Sequence, residues 1–257
     1  MIPNERLRRL TRALPRPIQE RLRELAHRLA ARRKPRWGNL RRSDPFSDIY
    51  GLDRGTSIGR VYIADFLREF SDDIHGEVLE VRDDRYTREF GGPQVTSSNI
   101  LDIDAHNRDA TIIADLSEED SLAHARFDCF ILTQTLQYVP DVAAALRNAW
   151  QSLAPGGRLL ISVPTLSRLD PSILGKTDLW RFTPVGLEKV LADACVSGDI
   201  HVRGYGNLRI AVAFLMGLPA EYLTEHEIRF NDPRFPLLAC GRAAKASTNA
   251  SASIDIP

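Results

Sequence analysis

FDCFILTQTLQYVPD (residues 127–141), followed closely by LAPGGRLLISVP (residues 153–164), decides the fold of this chain. Phe127–Leu132 is a short, mostly apolar run, and so is Arg158–Val163. Such runs suit strands buried on both faces of a parallel sheet. Between them Val142, Ala145, Leu146, Ala149, Trp150 and Leu153 recur at helical spacing, so Asp141 to Leu153 reads as a helix with one inner stripe. Pro155, Gly156 and Gly157 stop that helix and turn the chain into the next strand. Strand, helix, turn and strand form a right-handed crossover unit.

The same alternation extends in both directions. Upstream, Ser57 or Thr56 caps a helix over residues 58–70 whose buried face is Ile58, Val61, Tyr62, Phe66 and Phe70. Strands follow at Glu77–Val81, opened by Gly76, at Asn99–Ile103 and at Thr111–Ala114. Downstream, Thr183 and Pro184 begin a helix that runs to Ala194, with proline in the first turn. A strand at Ile200–Tyr205, an apolar helical stretch at Leu208–Met216 ended by Gly217 and Pro219, and a strand at Pro236–Arg242 complete the series. The expectation is an α/β, Rossmann-like doubly wound domain with a mostly parallel seven-stranded sheet. Its helices are trimmed. Only about seven residues separate Ile103 from the next strand and about a dozen separate Ala114 from Phe127, less than a full crossover takes. The second gap holds at most a small helix around Glu118–Ala123.

Composition bounds the rest. The 257 residues carry 34 Lys and Arg against 34 Asp and Glu, and 43% are apolar, enough for one substantial core. No run of 18 apolar residues occurs, which excludes a spanning helix, and no apolar leader region opens the chain. Cys129, Cys195 and Cys240 are odd in number and far apart. They read as small buried hydrophobes in a reducing cytoplasm, not as a disulfide framework or a zinc site. The zero net charge hides an asymmetry: residues 1–42 hold 14 Lys and Arg against three acids, a net of +11, and the remaining 20 bases and 31 acids give −11. In that arm Leu7, Leu10 and Leu14, then Ile18, Leu22, Leu25 and Leu29, mark one face of short helices with arginines opposite. A basic amphipathic helix suits docking on a protein surface, and residues 1–34 also suit an anionic membrane at the inner face; nucleic acid is disfavoured because no aromatic residue interleaves the arginines before Trp37. The expected organisation is an arm over 1–42, an α/β domain over 43–243 with a helical insertion at 206–235 as substrate cap, and a disordered tail over 244–257.

The two opening segments resemble the fourth and fifth strands of class I S-adenosylmethionine-dependent methyltransferases, in which an FD-apolar strand, a helix, L-x-PGG and a strand ending in proline succeed one another. The likeness covers residues 76–195 and is of the type 11 kind. Three blocks, Asp53–Thr56, Trp37–Asn39 and Tyr205–Asn207, resemble a bacterial subgroup associated with glycosyltransferases. The resemblance implies S-adenosyl-L-methionine as cofactor, bound outside the carboxyl ends of the strands at the point where strand order reverses. It places Asp104, after the second strand, on the ribose diol, Asp115 on the adenine amino group with the backbone N–H of Leu116 on the ring, and Thr133 and Gln134 beside the methionine portion. Glu80 assists at the switch point, with Asp83 in the loop that follows.

The first loop departs from the family. Where the pattern is E-x-G-x-G-x-G, this chain has Glu80-Val81-Arg82-Asp83-Asp84-Arg85-Tyr86, so the glycine positions hold Arg82, Asp84 and Tyr86. Glycines there permit positive φ and close approach to the cofactor. Asp83–Thr87 resembles the D-D-x-Y-T block of the subgroup, which favours another loop shape. The L-x-H histidine of broader relatives is replaced by Leu136-Gln137-Tyr138, leaving no standard base, and no HExxH or CxxC metal pattern occurs. Substrate contacts are expected from Tyr62, Tyr138, Trp180 and Arg181, an aromatic to stack on a sugar or base and a guanidinium to hold a phosphate or carboxylate, with Asp53 and Arg54 in a lid. Three readings stay open: methyl transfer to a small-molecule or glycan or glycolipid acceptor, an inactive methyltransferase-like scaffold partnering glycosyltransferases, and another nucleotide-binding enzyme on the same sheet.

Overall fold

A computed structural model describes residues 15, 17–18, 20–21, 38–122, 126–170 and 178–247. The chain divides into two units, residues 1–43 and 44–257. In the first, Pro17, Ile18, Glu20 and Arg21 are helical and Gly38–Leu40 forms a single 3-10 turn. The rest of the arm expected over 1–42, including most of the residues expected to suit a membrane, lies outside the described residues. Of the tail expected over 244–257, residues 244–247 are described, Ala244 closing the last strand and Lys245 donating to the carbonyls of Trp150 and Leu153, and the remainder lies outside.

The second unit carries the sheet. Its elements are α1 (Ile58–Glu69), β1 (Gly76–Val81), α2 (Arg85–Phe90), β2 (Val95–Asp102), β3 (Ile112–Ile113), β4 (Phe127–Thr133), α3 (Val142–Gln151), β5 (Leu153–Pro164), α4 (Pro184–Ala194), β6 (Asp199–Tyr205), α5 (Leu208–Leu215), α6 (Glu225–Arg229) and β7 (Leu238–Ala244). The order across the sheet is β3-β2-β1-β4-β5-β7-β6. The strands from β3 to β5 are parallel, and β7 runs antiparallel to both neighbours. This is the expected seven-stranded, mostly parallel α/β sheet, and its order reverses between β1 and β4.

The mostly apolar runs are explained by burial on both faces. Leu79, Phe130, Leu132, Leu159 and Ile161 pack in one layer with Leu146, Trp150, Leu187 and Leu191 of α3 and α4. Their neighbours Val78, Cys129, Ile131 and Leu160 point to the other layer, with Tyr62, Phe66 and Leu67 of α1 and Ile210 of α5. The three cysteines are free and buried, filling core volume. Asp141 caps α3 by accepting the Ala144 N–H, and Thr183 caps α4 by accepting that of Gly186. Among the described residues no helix is long and apolar enough to cross a membrane.

Several boundaries differ from expectation for identifiable reasons. β2 begins four residues earlier because its first half, Val95–Ser98, is mostly polar and invisible to an apolar search, and it ends at Asp102 instead of Ile103. The PGG segment lies inside β5, not before it. Gly156 takes a left-handed φ of 84°, and a Cβ on Gly157 would fall 3.0 Å from the Phe127 carbonyl oxygen, so glycine lets the strand kink against β4. α2 and α6 were too short to show a period, and Glu118–Leu122 forms turns. In the 206–235 insertion, α5 packs in the layer of α1, and the 216–221 turn holds residues 44–57: Phe46 donates to Met216, Ala220 donates to Thr56, and the Thr56 N–H meets both Glu221 carboxylate oxygens at 3.0 Å.

Candidate functional site

Two cavities adjoin at the carboxyl ends of β1 and β4. The first, of about 620 Å³, is bordered by the exits of β1, β2, β3 and β4. The second, of about 320 Å³, lies between the β4 exit, residues 50–60, residues 164–168 and the pair Asp178 and Arg181. Arg60, Ile63, Arg82, Gln134 and Tyr138 belong to both walls, so the two spaces share one boundary.

Glu80, near the end of β1, is buried at 2% exposure. Its carboxylate accepts the N–H of Tyr86 at 3.0 Å, the N–H of Thr87 at 2.7 Å and the Thr87 hydroxyl at 2.8 Å. It thereby fixes the start of α2 and folds the loop back over the first cavity. Burial pushes its pKa up to about 7, against the opposing pull of those donors.

Within that loop Arg82 has φ 75°, the left-handed region that favours glycine. The first glycine position of the expected motif therefore keeps its glycine-like backbone under an arginine side chain. Its N–H donates to Leu101 at 2.8 Å. Across the strand reversal Gln134 is also left-handed, at φ 48°, with its N–H on Ser162. Two non-glycine residues in a costly conformation on facing strand ends are the strain that accumulates at functional sites. Asp84, at the second glycine position, is not left-handed; it precedes α2 with φ −106°.

The acid at the end of β2 is Asp102, which lines the first cavity; Asp104 does not. Asp104 points to solvent and accepts from the backbone and ring of His106, contacts that hold its carboxyl below the usual range. The sequence reading named Asp104 alone; the strand ends at Asp102, one residue earlier than the apolar run, and so it is Asp102 that stands at the strand exit. Asn107 donates to the Arg82 carbonyl at 2.9 Å and to Asp102 Oδ2 at 2.7 Å, tying the exits of β1 and β2 together. Each Asp102 oxygen has one protein donor and a further lone pair for a ligand.

Asp115 and Leu116, after β3, line the first cavity as expected. Asp115 accepts the Ser117 N–H at 2.7 Å. From α3 the buried Asn148 donates to the carbonyls of Leu116 at 2.9 Å and Glu118 at 2.6 Å, so a core helix sets this loop. The buried Ser117 hydroxyl beside it has no hydrogen-bond partner. Thr133, Gln134 and Asp83 are also in this wall.

The expected substrate residues divide. Tyr138 lines both cavities. Arg181 lines the second, but its guanidinium is engaged: it grips Asp178 at 2.5 and 2.9 Å and donates to the carbonyls of Trp180 and Arg168 at 2.8 Å. Trp180 lines neither cavity; its indole N–H donates to Val139 at 2.9 Å. Tyr62 is a core residue whose hydroxyl donates to Ile228. Asp53 and Arg54 line neither cavity: Asp53 accepts from Ser47 and Arg54 donates to the Phe46 carbonyl, while Tyr50 and Leu52 form the wall. Of the 206–235 insertion, Phe214 reaches the second cavity. Sequence reasoning missed Asp102, Arg60, Tyr50 and Gln137. No described histidine lines either space, and among the described residues no group of three metal-ligating side chains occurs.

The family model described as a methyltransferase domain matches residues 14–188, more than half of the chain. No curated protein matches. Among solved structures, the [4+2]-cyclase SpnF is 14% identical, with 76% of this chain and 85% of that one covered and a TM-score of 0.50. The S-adenosylmethionine-dependent methyltransferase from Mesorhizobium loti is 18% identical, with 76% and 100% covered and a TM-score of 0.47. The N-methyltransferase NodS from Bradyrhizobium japonicum WM9, in complex with S-adenosyl-L-homocysteine, is 13% identical, with 80% and 94% covered and a TM-score of 0.47. At these identities the likeness is one of fold.

Proposed function

The chain belongs to the methyltransferase-domain family, and from that membership we propose that it transfers a methyl group from S-adenosylmethionine in the first cavity to an acceptor in the second. The observation that carries this reading is the shared boundary of the two cavities at the strand reversal, bounded by the left-handed Arg82 and Gln134. S-adenosylmethionine, the cofactor of the family, supplies an electrophilic methyl group on a sulfonium.

The residues present fit that cofactor. A space of about 620 Å³ is in the range of small-molecule sites. Asp102 would hold the ribose diol, since one carboxylate accepts from both hydroxyls. Asp115 and the orphaned Ser117 hydroxyl would meet the base between Leu101, Ile103 and Leu116. Thr133 and Gln134 would border the methionine end. Glu80 acts one step back by fixing the loop and α2. Tyr50, Leu52 and Phe214 line the second cavity and would hold the acceptor close, where proximity contributes much of the rate.

Support for a glycan or glycolipid acceptor, for a glycosyltransferase partner and for an inner-membrane contact through residues 1–34 rests on the sequence blocks and the basic arm. The test of the transfer reading is calorimetric titration of the full chain with S-adenosylmethionine and S-adenosylhomocysteine. Micromolar binding of both is expected; no binding at millimolar ligand to folded protein defeats it.

A further inference from the structure

The walls of the two cavities differ in charge. The first carries four acids, Glu80, Asp83, Asp102 and Asp115, against three arginines, Arg60, Arg82 and Arg85. Arginines line the second: Arg60, Arg82, Arg168 and Arg181, with Asp178 the one acid among its lining residues. Asp178 is engaged by Arg181 in a bidentate pair. Arg168 stacks 4.3 Å over the Tyr50 ring and donates to the Asp48 carbonyl. Arg60 and Arg82 have neither an ion pair nor a side-chain hydrogen bond among the described residues, and both stand in the shared wall. Two guanidinium groups with no ion-pair partner in a cavity wall attract and orient an oxyanion.

A second observation points to a ligand in the same space. Gln137 is 4% exposed and lines the second cavity. Its Nε2 donates to the Gln134 carbonyl at 2.8 Å, which fixes the amide, and its Oε1 has no hydrogen-bond partner. A buried unpaired acceptor is costly and calls for an O–H or N–H donor. Among the described residues no unpaired carboxylate and no histidine lines the second cavity, since Asp178 is paired with Arg181.

Building on the transfer reading, we propose that the second cavity binds a small organic acid carrying a hydroxyl or amino group, its oxyanion on Arg60 and Arg82 and its donor group on Gln137 Oε1, and that the oxyanion is the methylated atom. Methylation of an oxyanion forms the O–C bond as the methyl–sulfur bond breaks, cancels one negative against one positive charge, and releases no proton. The missing base is then no defect of the site.

The test uses full-length protein saturated with S-adenosylhomocysteine and two matched probe pairs, 4-hydroxybenzoate against 4-hydroxybenzamide and glucose 6-phosphate against glucose. In at least one pair the anion should bind tenfold or more tightly than its neutral partner. Arg60→Gln and Arg82→Gln should each remove most of that preference, with Arg82→Lys retaining part of it, and unchanged melting temperatures would show the variants folded. Equal affinity within both pairs, or no binding of any probe, overturns the proposal while homocysteine-ligand binding leaves the transfer reading intact. If that ligand does not bind, the transfer reading fails instead, and anion preference alone would show a binding site without a donor.

Discussion

The carboxylate of Glu80 accepts both the backbone N–H and the hydroxyl of Thr87, at 2.7 and 2.8 Å, so the buried end of β1 is the anchor of α2. The sign of its pH effect follows from burial. Glu80 titrates near 7 in the folded chain and near 4.5 when exposed. Between those values the folded state holds a proton that the unfolded state lacks, so stability falls as pH rises from about 4.5 to about 7. The loss is up to about 3 kcal/mol. Thermal unfolding followed from pH 5 to pH 8 should show this decline, and Glu80→Gln should flatten it. A variant with the same pH profile as the parent would remove Glu80 as its source.

The second prediction separates two neighbouring acids. Asp102→Asn should weaken S-adenosylhomocysteine binding about 10- to 100-fold, the loss of a charge-assisted hydrogen bond worth about 1.5–3 kcal/mol. Asp104→Asn, on a solvent-facing carboxylate bonded to His106, should change it less than about twofold, within the scatter for sites away from such features. Calorimetry on the two variants decides between them, and the reverse ranking would put Asp104 in the site.

How much was readable in advance follows from what period and composition report. Apolar strands buried on both faces, such as Phe127–Leu132, announce themselves, and so does a helix with an inner stripe such as Val142–Gln151. The polar first half of β2 and the six-residue α2 carry no such signal. That Asp115, Leu116, Thr133 and Gln134 line the first cavity was legible because a cavity of an open parallel sheet opens at its strand ends. Asp102 was missed because the apolar run extends one residue past the strand. The cationic second cavity was illegible for another reason. Arg60, Arg82 and Gln137 are far apart in sequence, and whether a guanidinium is engaged, as in Arg181, or free, as in Arg82, is fixed by tertiary contacts.

Arg82 gives a prediction about strain. At φ 75° a non-glycine residue is unfavourable by roughly 1–2 kcal/mol, whereas glycine adds backbone entropy to the unfolded chain worth roughly 0.5–1 kcal/mol. Arg82→Gly should therefore hold or raise stability, by up to about 1.5 kcal/mol. Arg82→Val, β-branched, should lower it by more than about 1 kcal/mol. Urea unfolding of both variants measures the difference. A glycine variant clearly less stable than the parent would mean that the arginine side chain, and not the backbone, holds the loop.

Asp178 and Arg181 provide the last. The Asp178 side chain is 4% exposed, and its bidentate grip on Arg181 ties residue 178 to 181 and, through the Arg168 carbonyl, to the wall of the second cavity. The Arg181 hydrogen bonds hold the Asp178 carboxyl below the usual aspartate range. A depressed carboxylate contributes stability above its unfolded pKa and loses it as pH falls through the folded one, opposite in sign to Glu80. Removing one partner leaves the other charge uncompensated, so Arg181→Ala, which strands the buried Asp178 carboxylate, should lower stability by about 3 kcal/mol. Asp178→Ala should cost somewhat less, because the arginine it leaves behind is partly exposed. Neither residue lines the first cavity, so S-adenosylhomocysteine affinity should stay within about threefold in both variants while they remain folded. Denaturant unfolding and calorimetry on the same samples test the pair of statements: a stable Asp178→Ala variant that loses the cofactor product would reverse the assignment, making this pair part of the cofactor site and not a brace of the acceptor wall.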